Sequence, residues 1–504
     1  VKFGFVFYCC NVYVHLITKI ALSKKDNAEF NVLLFGAVMK RTALALIFIL
    51  VLLVTSLLVA SIPSLKADAE ALQLQWQQFL PGISGTSVIQ TSDGGYLALG
   101  INASIQENDL GESVFTNREP ILIKTDSSGN IIWTKTYQAE DGRLELSEII
   151  ETNDGGYALG GVRVVENVYL NAENKIILMK LDSQGNVQWE KLFIGYNDTY
   201  SDTVGPSSIG GLIQTSDQGF VIVSGYVHTM YVNEIWFAKT DAEGNLELNK
   251  TISGGLISIV SASDGGFAVI SQLMGRGGGS KFMLVKIDSE GNMQWTNTYI
   301  QQDSISSYAT CGIATRDGGY SLGGYAILDK NYGWLVKTDS QGNMLWNKIC
   351  SYKGYSSTIR SILQTEDGGF FYVGDAVNQT RFGEFDSNTR VFTWIVKTDN
   401  LGNVQSEAAI AMGNHFTSPT SVIQANDGGY VFVGTWNESD PATSDQRFWF
   451  VKIAPTQSPS TTPTITPYQE PQQTPQLEII IGVAVAVAVI GAGLGLLLYL
   501  IKRK

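Results

Sequence analysis

Cysteine, histidine and positive charge are all scarce in this chain of 504 residues. Of its four cysteines, Cys9 and Cys10 stand side by side near the first residue, which leaves only Cys311 and Cys350 for the bulk of the sequence. No disulfide framework can therefore hold it together. Of the three histidines, His228 and His415 lie beyond residue 70. Neither has a metal-ligand spacing or a Ser or Cys partner motif, which excludes a zinc site or a histidine-activated nucleophile built on them. Lys and Arg number 34 against 47 Asp and Glu. The bases gather at the two ends, so that residues 70–501 carry a net charge of −20. A surface that acidic is a poor partner for nucleic acid or anionic lipid.

Long uncharged apolar runs are also few, and the two clearest flank everything else. Met39-Lys40-Arg41 followed by Ala43 to Ala60 has the basic start and apolar stretch of a secretory signal peptide, and Ala67-Asp68-Ala69 supplies a small-x-small cleavage site. The expectation is a signal peptide over 39–69 and a mature chain from about Glu70. The alternative is an uncleaved anchor. Residues 1–38 then read as a mis-assigned start or a disordered extension. Ile479 to Ile501 has no charge and, at about 1.5 Å per residue, is long enough for a hydrocarbon core of about 30 Å. Lys502-Arg503-Lys504 follows as a basic cytoplasmic tail. Residues 456–478, rich in Ser, Thr, Pro and Gln, cannot bury a core and read as an extended stalk. These parts predict a single-pass protein of the plasma membrane with residues 70–455 outside.

What fills 70–455 is a repeat. An Asp-x-Gly turn followed by Tyr or Phe recurs at Asp93, Asp154, Asp217, Asp264, Asp317, Asp367 and Asp427. A second turn, Asp-x-x-Gly-Asn with Lys two places before it, recurs six times, at Asp126, Asp182, Asp241, Asp288, Asp339 and Asp399. The seventh Lys, Lys452, is followed by Ile453, Ala454 and Pro455 and no such turn. The strand missing there stands at the other end, as Leu74-Gln75-Trp76-Gln77-Gln78-Phe79. Tight turns between alternating β-branched and aromatic runs give four short strands per unit. Seven such units predict an all-β, seven-bladed β-propeller of four-stranded blades, with the 74–79 strand closing the last blade against 448–453. Cys311 and Cys350 fall on the first and last strands of one blade, about three strand spacings of 4.8 Å apart, too far to bridge.

The unit Lys-x-Asp-x-x-Gly-Asn-x-x-Trp, clearest from Lys337 to Trp346, resembles the tryptophan-docking motif of quinoprotein-like propellers and is similar to the Asp-box of sialidases. The whole repeat looks like that of uncharacterised prokaryotic, often archaeal, cell-surface propellers. That resemblance implies that the Trp wedges against the neighbouring blade. The Trp is present at Trp76, Trp133, Trp189, Trp295 and Trp346 and replaced by Leu248 and Ser406. The carboxylate-held calcium and adjacent disulfide of quinoproteins have no counterpart.

Residues present in every blade are explained by building the blade. The strand Lys and the Asp two places on face the same way and are expected to pair with each other or across blades. The Asp-x-x-Gly-Asn turns lack the alternating ligands of a calcium loop, so no cofactor is predicted and calcium is only a remote option. The connections at the other end of each blade vary in length, which makes that face the candidate binding face. Its loops are 102–119, 163–174, 226–233, 375–390 and 436–447, and its candidate residues are His228, Tyr231, Glu384, Asp386 and Trp436. Sequons at Asn102, Asn197, Asn249, Asn378 and Asn437 permit N-glycosylation. The reading is a surface binding or adhesion module for a glycan or protein. The alternatives are an extracellular lyase or glycosidase acting through carboxylates, and a structural envelope component.

Overall fold

The computed structural model describes residues 72–455 except 108–112, 165–173, 195–203, 230–231, 275–278, 379–388, 411–415 and 438–445. The expected signal peptide, stalk and membrane span lie outside the described residues. Among those residues no helix is long and apolar enough to cross a membrane.

Seven four-stranded antiparallel sheets follow one another along the chain. Blades 1 to 6 occupy 84–136, 143–193, 204–253, 255–299, 306–350 and 356–410, and blade 7 combines 416–455 with 72–80. Leu72–Leu80 lies antiparallel to Gln446–Pro455, with Leu72 opposite Pro455 and Leu80 opposite Phe448. The strand displaced to the start of the repeat region thus closes the ring, as its sequence predicts. The first strand of each blade touches the first strand of the next all the way round, so the first strands line a central channel. Apolar side chains pack between facing sheets: Leu97, Leu99 and Leu122 of blade 1 share a core with Leu144, Leu159 and Met179 of blade 2. Removing such side chains from water is the main source of stability, about 25 cal/mol per Å².

The two turns build one flat face. In the first, the Asp93 carboxylate accepts hydrogen bonds from the Gly95 N–H at 2.9 Å and the Thr91 hydroxyl at 2.6 Å. Lys124, 4% exposed, reaches it from the third strand at 2.8 Å. The same ion pair recurs as Asp154–Lys180, Asp264–Lys286, Asp317–Lys337 and Asp427–Lys452. The strand Lys therefore pairs with the first-turn Asp of its own blade. It does not pair with the Asp two places on, nor across blades, because that Asp is fully engaged by its own turn. Asp339 accepts from the Gln341 and Asn343 N–H groups and from the Asn343 amide. Gly342 there has φ +74, and a Cβ on it would lie 2.6 Å from the ring of Trp295 in the preceding blade. Trp76, Trp133, Trp189 and Trp346 meet Gly129, Gly185, Gly244 and Gly402 in the same way.

The two exceptions have local reasons. Beside Leu248 the ring of Phe237 covers Gly291 instead. Ser406 faces blade 7, whose outermost strand, Leu72–Leu80, arrives from the start of the repeat region without a second turn to cover.

Both ends of the ring leave from this turn face. Ile453, beside Pro455, pairs with Tyr430 directly after the first turn of blade 7, and Leu72 is opposite Pro455. The variable connections lie on the opposite face. Two of them are more ordered than loops. Tyr96–Glu107 pairs with Ser113–Thr125 out to Glu107 opposite Ser113, and Phe220–Thr229 pairs with Val232–Thr240. Both extend blades outward as hairpins, since alternation along the chain continues past the blade edge.

Candidate functional site

Each first strand carries a one-residue bulge at the same level, at Thr86, Ser147, Gly210, Ile257, Thr310, Arg360 and Thr420. A bulge leaves one residue out of the ladder and turns its side chain away from the regular alternation. At three of the four positions where that residue is Ser or Thr its hydroxyl staples blade to blade, while the Thr86 hydroxyl donates to Leu99 O of its own blade at 3.1 Å. Thr420 donates to Gly85 O of the next blade at 2.8 Å, Ser147 bonds to Ile209 O at 3.5 Å, and Thr310 reaches Ile359 O.

Above the bulge, toward the variable face, the repeat breaks down. In the second strand the position opposite the last regular pair before the bulge is small throughout: Gly100, Gly161, Ser224, Ser271, Gly324, Gly374 and Gly434. The next position reads Ile101, Val162, Gly225, Gln272, Tyr325, Asp375 and Thr435, a different residue in every blade. Gln272 bridges blades 4 and 5 by donating to Ser307 O and accepting from the Ala309 N–H, both at 2.9 Å. Tyr325 stacks on Tyr308, ring centroids 5.2 Å apart at 21°. Asp375 is 6% exposed. One of its oxygens accepts from Arg360 Nε at 2.6 Å, and the other accepts from the Ser418 hydroxyl of blade 7 at 2.9 Å. Burial outweighs these partners and raises the Asp375 carboxyl above the usual carboxylate range.

Blades 1 and 2 contribute a second part of the mouth. A cavity of about 290 Å³ lies between them, with Thr86 and Ser147 on its channel side and Arg118, Glu119 and Glu145 around it. Arg143 donates to Glu145 at 2.9 Å. Next to Ser147, Glu148 is half-buried on the innermost strand, and no described residue bonds to it. Burial pushes its carboxyl up to about 7. A larger cleft of about 590 Å³ between blades 3 and 4 is apolar, lined by Met274, Met283 and Met293, with no charge among its described lining residues.

Of the candidate binding residues singled out from sequence, His228 and Trp436 are the two that fall among the described residues. His228 lies at the variable-face end of Phe220–Thr229, with its side chain outside what is described, and Tyr231, Glu384 and Asp386 fall outside the described residues. Trp436 is 6% exposed. It sits against Phe79 at 5.1 Å and under Arg447 at 5.3 Å, so it offers solvent little surface for stacking. Among the sequons, Asn249 is exposed on an outermost strand, Asn102 and Asn378 are partly exposed, Asn437 is 3% exposed, and Asn197 lies outside the described residues. Cys311 and Cys350 are free thiols, both pushed up to about 12 by burial. Among the described residues no group of three or more His, Cys, Asp or Glu is placed to hold a metal ion.

Arg360, Asp375, Tyr308, Tyr325 and Glu148 were not singled out from the sequence, because each sits inside a strand where alternation explains it. Aligning the first strands by their turns would have shown Arg360 as the one charged residue in a column of Thr, Ser, Gly and Ile.

No family model and no curated protein matches the chain. Solved structures do. An ulvan lyase bound to -[GlcA(1-4)Rha3S]- aligns with 74% of this chain and 95% of its own at TM-score 0.44 and 8% identity. The parainfluenza virus 5 hemagglutinin-neuraminidase ectodomain aligns with 86% of this chain and 100% of its own, at 0.40 and 9%. The NanB sialidase of Streptococcus pneumoniae aligns with 77% and 69%, at 0.38 and 9%. With TM-scores below 0.5 and identities of 8–9%, these likenesses carry no argument about this chain.

Proposed function

We propose that this protein is a carbohydrate-binding propeller that takes its ligand at the channel mouth on the variable face. One observation carries the reading. The repeat is regular from the turn face up to the bulge and becomes different in every blade immediately above it, where blades 4 to 7 carry Gln272, Tyr325, Asp375 and Thr435. A scaffold needs no such change, whereas a ligand without seven-fold symmetry does. Stacked tyrosines, a fixed Arg–Asp pair and hydroxyls around a concave opening suit a sugar, which offers apolar faces and many hydroxyls. With a membrane span at 479–501 and the stalk before it, the mouth would point away from the membrane, since both ends of the ring leave from the turn face.

The test is a glycan array probed with the purified full-length chain and with Tyr308→Ala and Glu145→Gln variants. The reading expects a restricted set of glycans, weakened by both substitutions without loss of the thermal transition. No glycan bound by a protein that melts cooperatively would overturn it in favour of a protein partner or an envelope scaffold.

A second reading, a lyase or glycosidase, has one observation in its favour. Glu148 stands on the innermost strand one residue beyond Ser147, which lines the blade 1–2 cavity, and burial brings its carboxyl to about 7, where a general acid or base works at neutral pH. Release of reducing ends from any bound glycan, abolished by Glu148→Gln, would establish it.

A further inference from the structure

Resting on that reading, we infer that Arg360 is the selectivity residue of the mouth, a preset guanidinium that takes the carboxylate of an acidic sugar such as a uronic acid. In the bulge column the other six blades have Thr86, Ser147, Gly210, Ile257, Thr310 and Thr420, all uncharged, and the hydroxyls of Ser147, Thr310 and Thr420 staple blade to blade. Blade 6 alone among the seven puts a charge there, the arginine Arg360. The neighbouring second-strand column, which differs in every blade, supplies an acid in blade 6 alone: Asp375 stands where blades 1 and 2 have Ile101 and Val162. An acid in a near-fully buried position is costly unless paired, and the cation it pairs with is the one on the bulge.

The geometry assigns different tasks to the two ends of the guanidinium. Nε is bound to Asp375 at 2.6 Å, and Asp375 is itself fixed by Ser418 from blade 7, so the fork is held from two blades. No described residue bonds to its Nη groups. The Arg360 side chain is 46% exposed, and because it stands on the innermost strand that exposure is to the channel. An arginine whose Nε is held by a buried carboxylate presents its two Nη groups in one plane, the arrangement that receives a carboxylate by two parallel hydrogen bonds. The stacked Tyr308–Tyr325 pair belongs to the adjacent blade, and the Arg360 charge acts on Tyr325. A pyranose ring bearing the carboxylate would have an aromatic neighbour there. Asp375 acts through Arg360 and is a positioning residue.

The repeat itself supplies the control. Arg360→Thr with Asp375→Val restores what other blades carry at both positions, removes the buried charge pair as a unit, and is expected to leave the thermal transition unchanged or raise it. The measurement is calorimetric titration of the full-length chain with oligogalacturonate, its methyl ester and a neutral oligoglucoside. The expected result is binding of the acid form at least about ten-fold tighter than the ester, the scale of a charge-assisted pair. The double variant should lose that difference. Arg360→Lys should lose most of it despite keeping the charge, because the fork is gone, and Asp375→Asn should weaken the acid form without affecting the neutral one. Equal binding of acid, ester and neutral sugar, unchanged in the double variant, would overturn the role of Arg360 and leave the glycan-binding reading standing. Absence of binding to any saccharide would overturn both.

Discussion

At the scale of single residues, the buried lysines show how an ion pair can be essential to a blade and yet lopsided. Lys337 has 5% of its side chain exposed, while its partner Asp317 keeps 55% in water. Removing either partner is therefore not equivalent. Asp317→Ala leaves an uncompensated ammonium inside the blade and is expected to cost about 1–3 kcal/mol, at the lower end because the pair is partly solvated. Lys337→Met leaves only a surface carboxylate and is expected to cost less. Urea unfolding of the two variants side by side checks the order, and a larger loss for Lys337→Met would contradict it. The carboxylates also set the acid limit. The Asp93 carboxyl is buried in part, but Lys124, Thr91 and Gly95 more than offset this and hold it down at about 2. Its contribution is present above the ordinary value of 3.8 and is lost as pH falls through about 2.

Glu148 works in the opposite direction. Its native carboxyl titrates at about 7 against 4.5 when unfolded. Below pH 4.5 both states are protonated and nothing is lost. As pH rises to 7 the unfolded chain ionises first, so stability drains away and then stays constant. Glu148→Gln is thus expected to leave the melting temperature unchanged at pH 4 and to raise stability at pH 8 by about 2 kcal/mol. Melting curves at the two pH values check this, and an equal shift at both would place the cause elsewhere. Leaving such a residue unpaired at the channel is a cost to the fold that a binding or reacting site can justify.

At the scale of the strand and turn, glycine positions separate backbone need from packing need. Gly155 has φ +78 with open space where a Cβ would go, whereas Gly402 has φ +74 and a Cβ would meet Trp346 at 2.7 Å. Gly155→Ala is expected to cost about 1 kcal/mol for the left-handed backbone alone. Gly402→Ala should cost at least about 2 kcal/mol more, since the neighbouring ring must move. Thermal denaturation resolves the two, and equal losses would mean that the Trp contact is loose. These turns were legible in the sequence because Asp, Gly and Asn leave few alternatives for the backbone. The pairing of Lys337 with Asp317 was not, because the two lie 20 residues apart and meet only once the second and third strands are in register. Arg360 and Asp375 were hidden for the same reason. A charged residue inside a strand declares itself only when the blades are laid over one another.

For the whole molecule, ring closure rests on nine residues brought from the start of the repeat region to its end. Blade number, blade make-up and the closing strand could all be counted from turns, whereas the proposed ligand end depended on what lies above the bulge, where each blade differs. Deleting Leu72–Leu80 would leave blade 7 with three strands and an exposed edge on Gln446–Pro455. The expected outcome is a lower, broader thermal transition that is restored in proportion to added peptide of that sequence, by mass action. A sharp transition that ignores the peptide would show that the ring closes without it.

The placement of the two ends also has a mechanical consequence. Gln446–Pro455 runs the full height of blade 7, from the variable face to the turn face, between Tyr430–Asn437 on one flank and Leu72–Leu80 on the other. Tension between a ligand held at the mouth and the C-terminal end of the ring pulls this strand along its own axis. Both ladders beside it are then loaded in shear, so their hydrogen bonds resist together and do not peel one at a time. The ring would hold against a tether as a bolt does, and not as a zip.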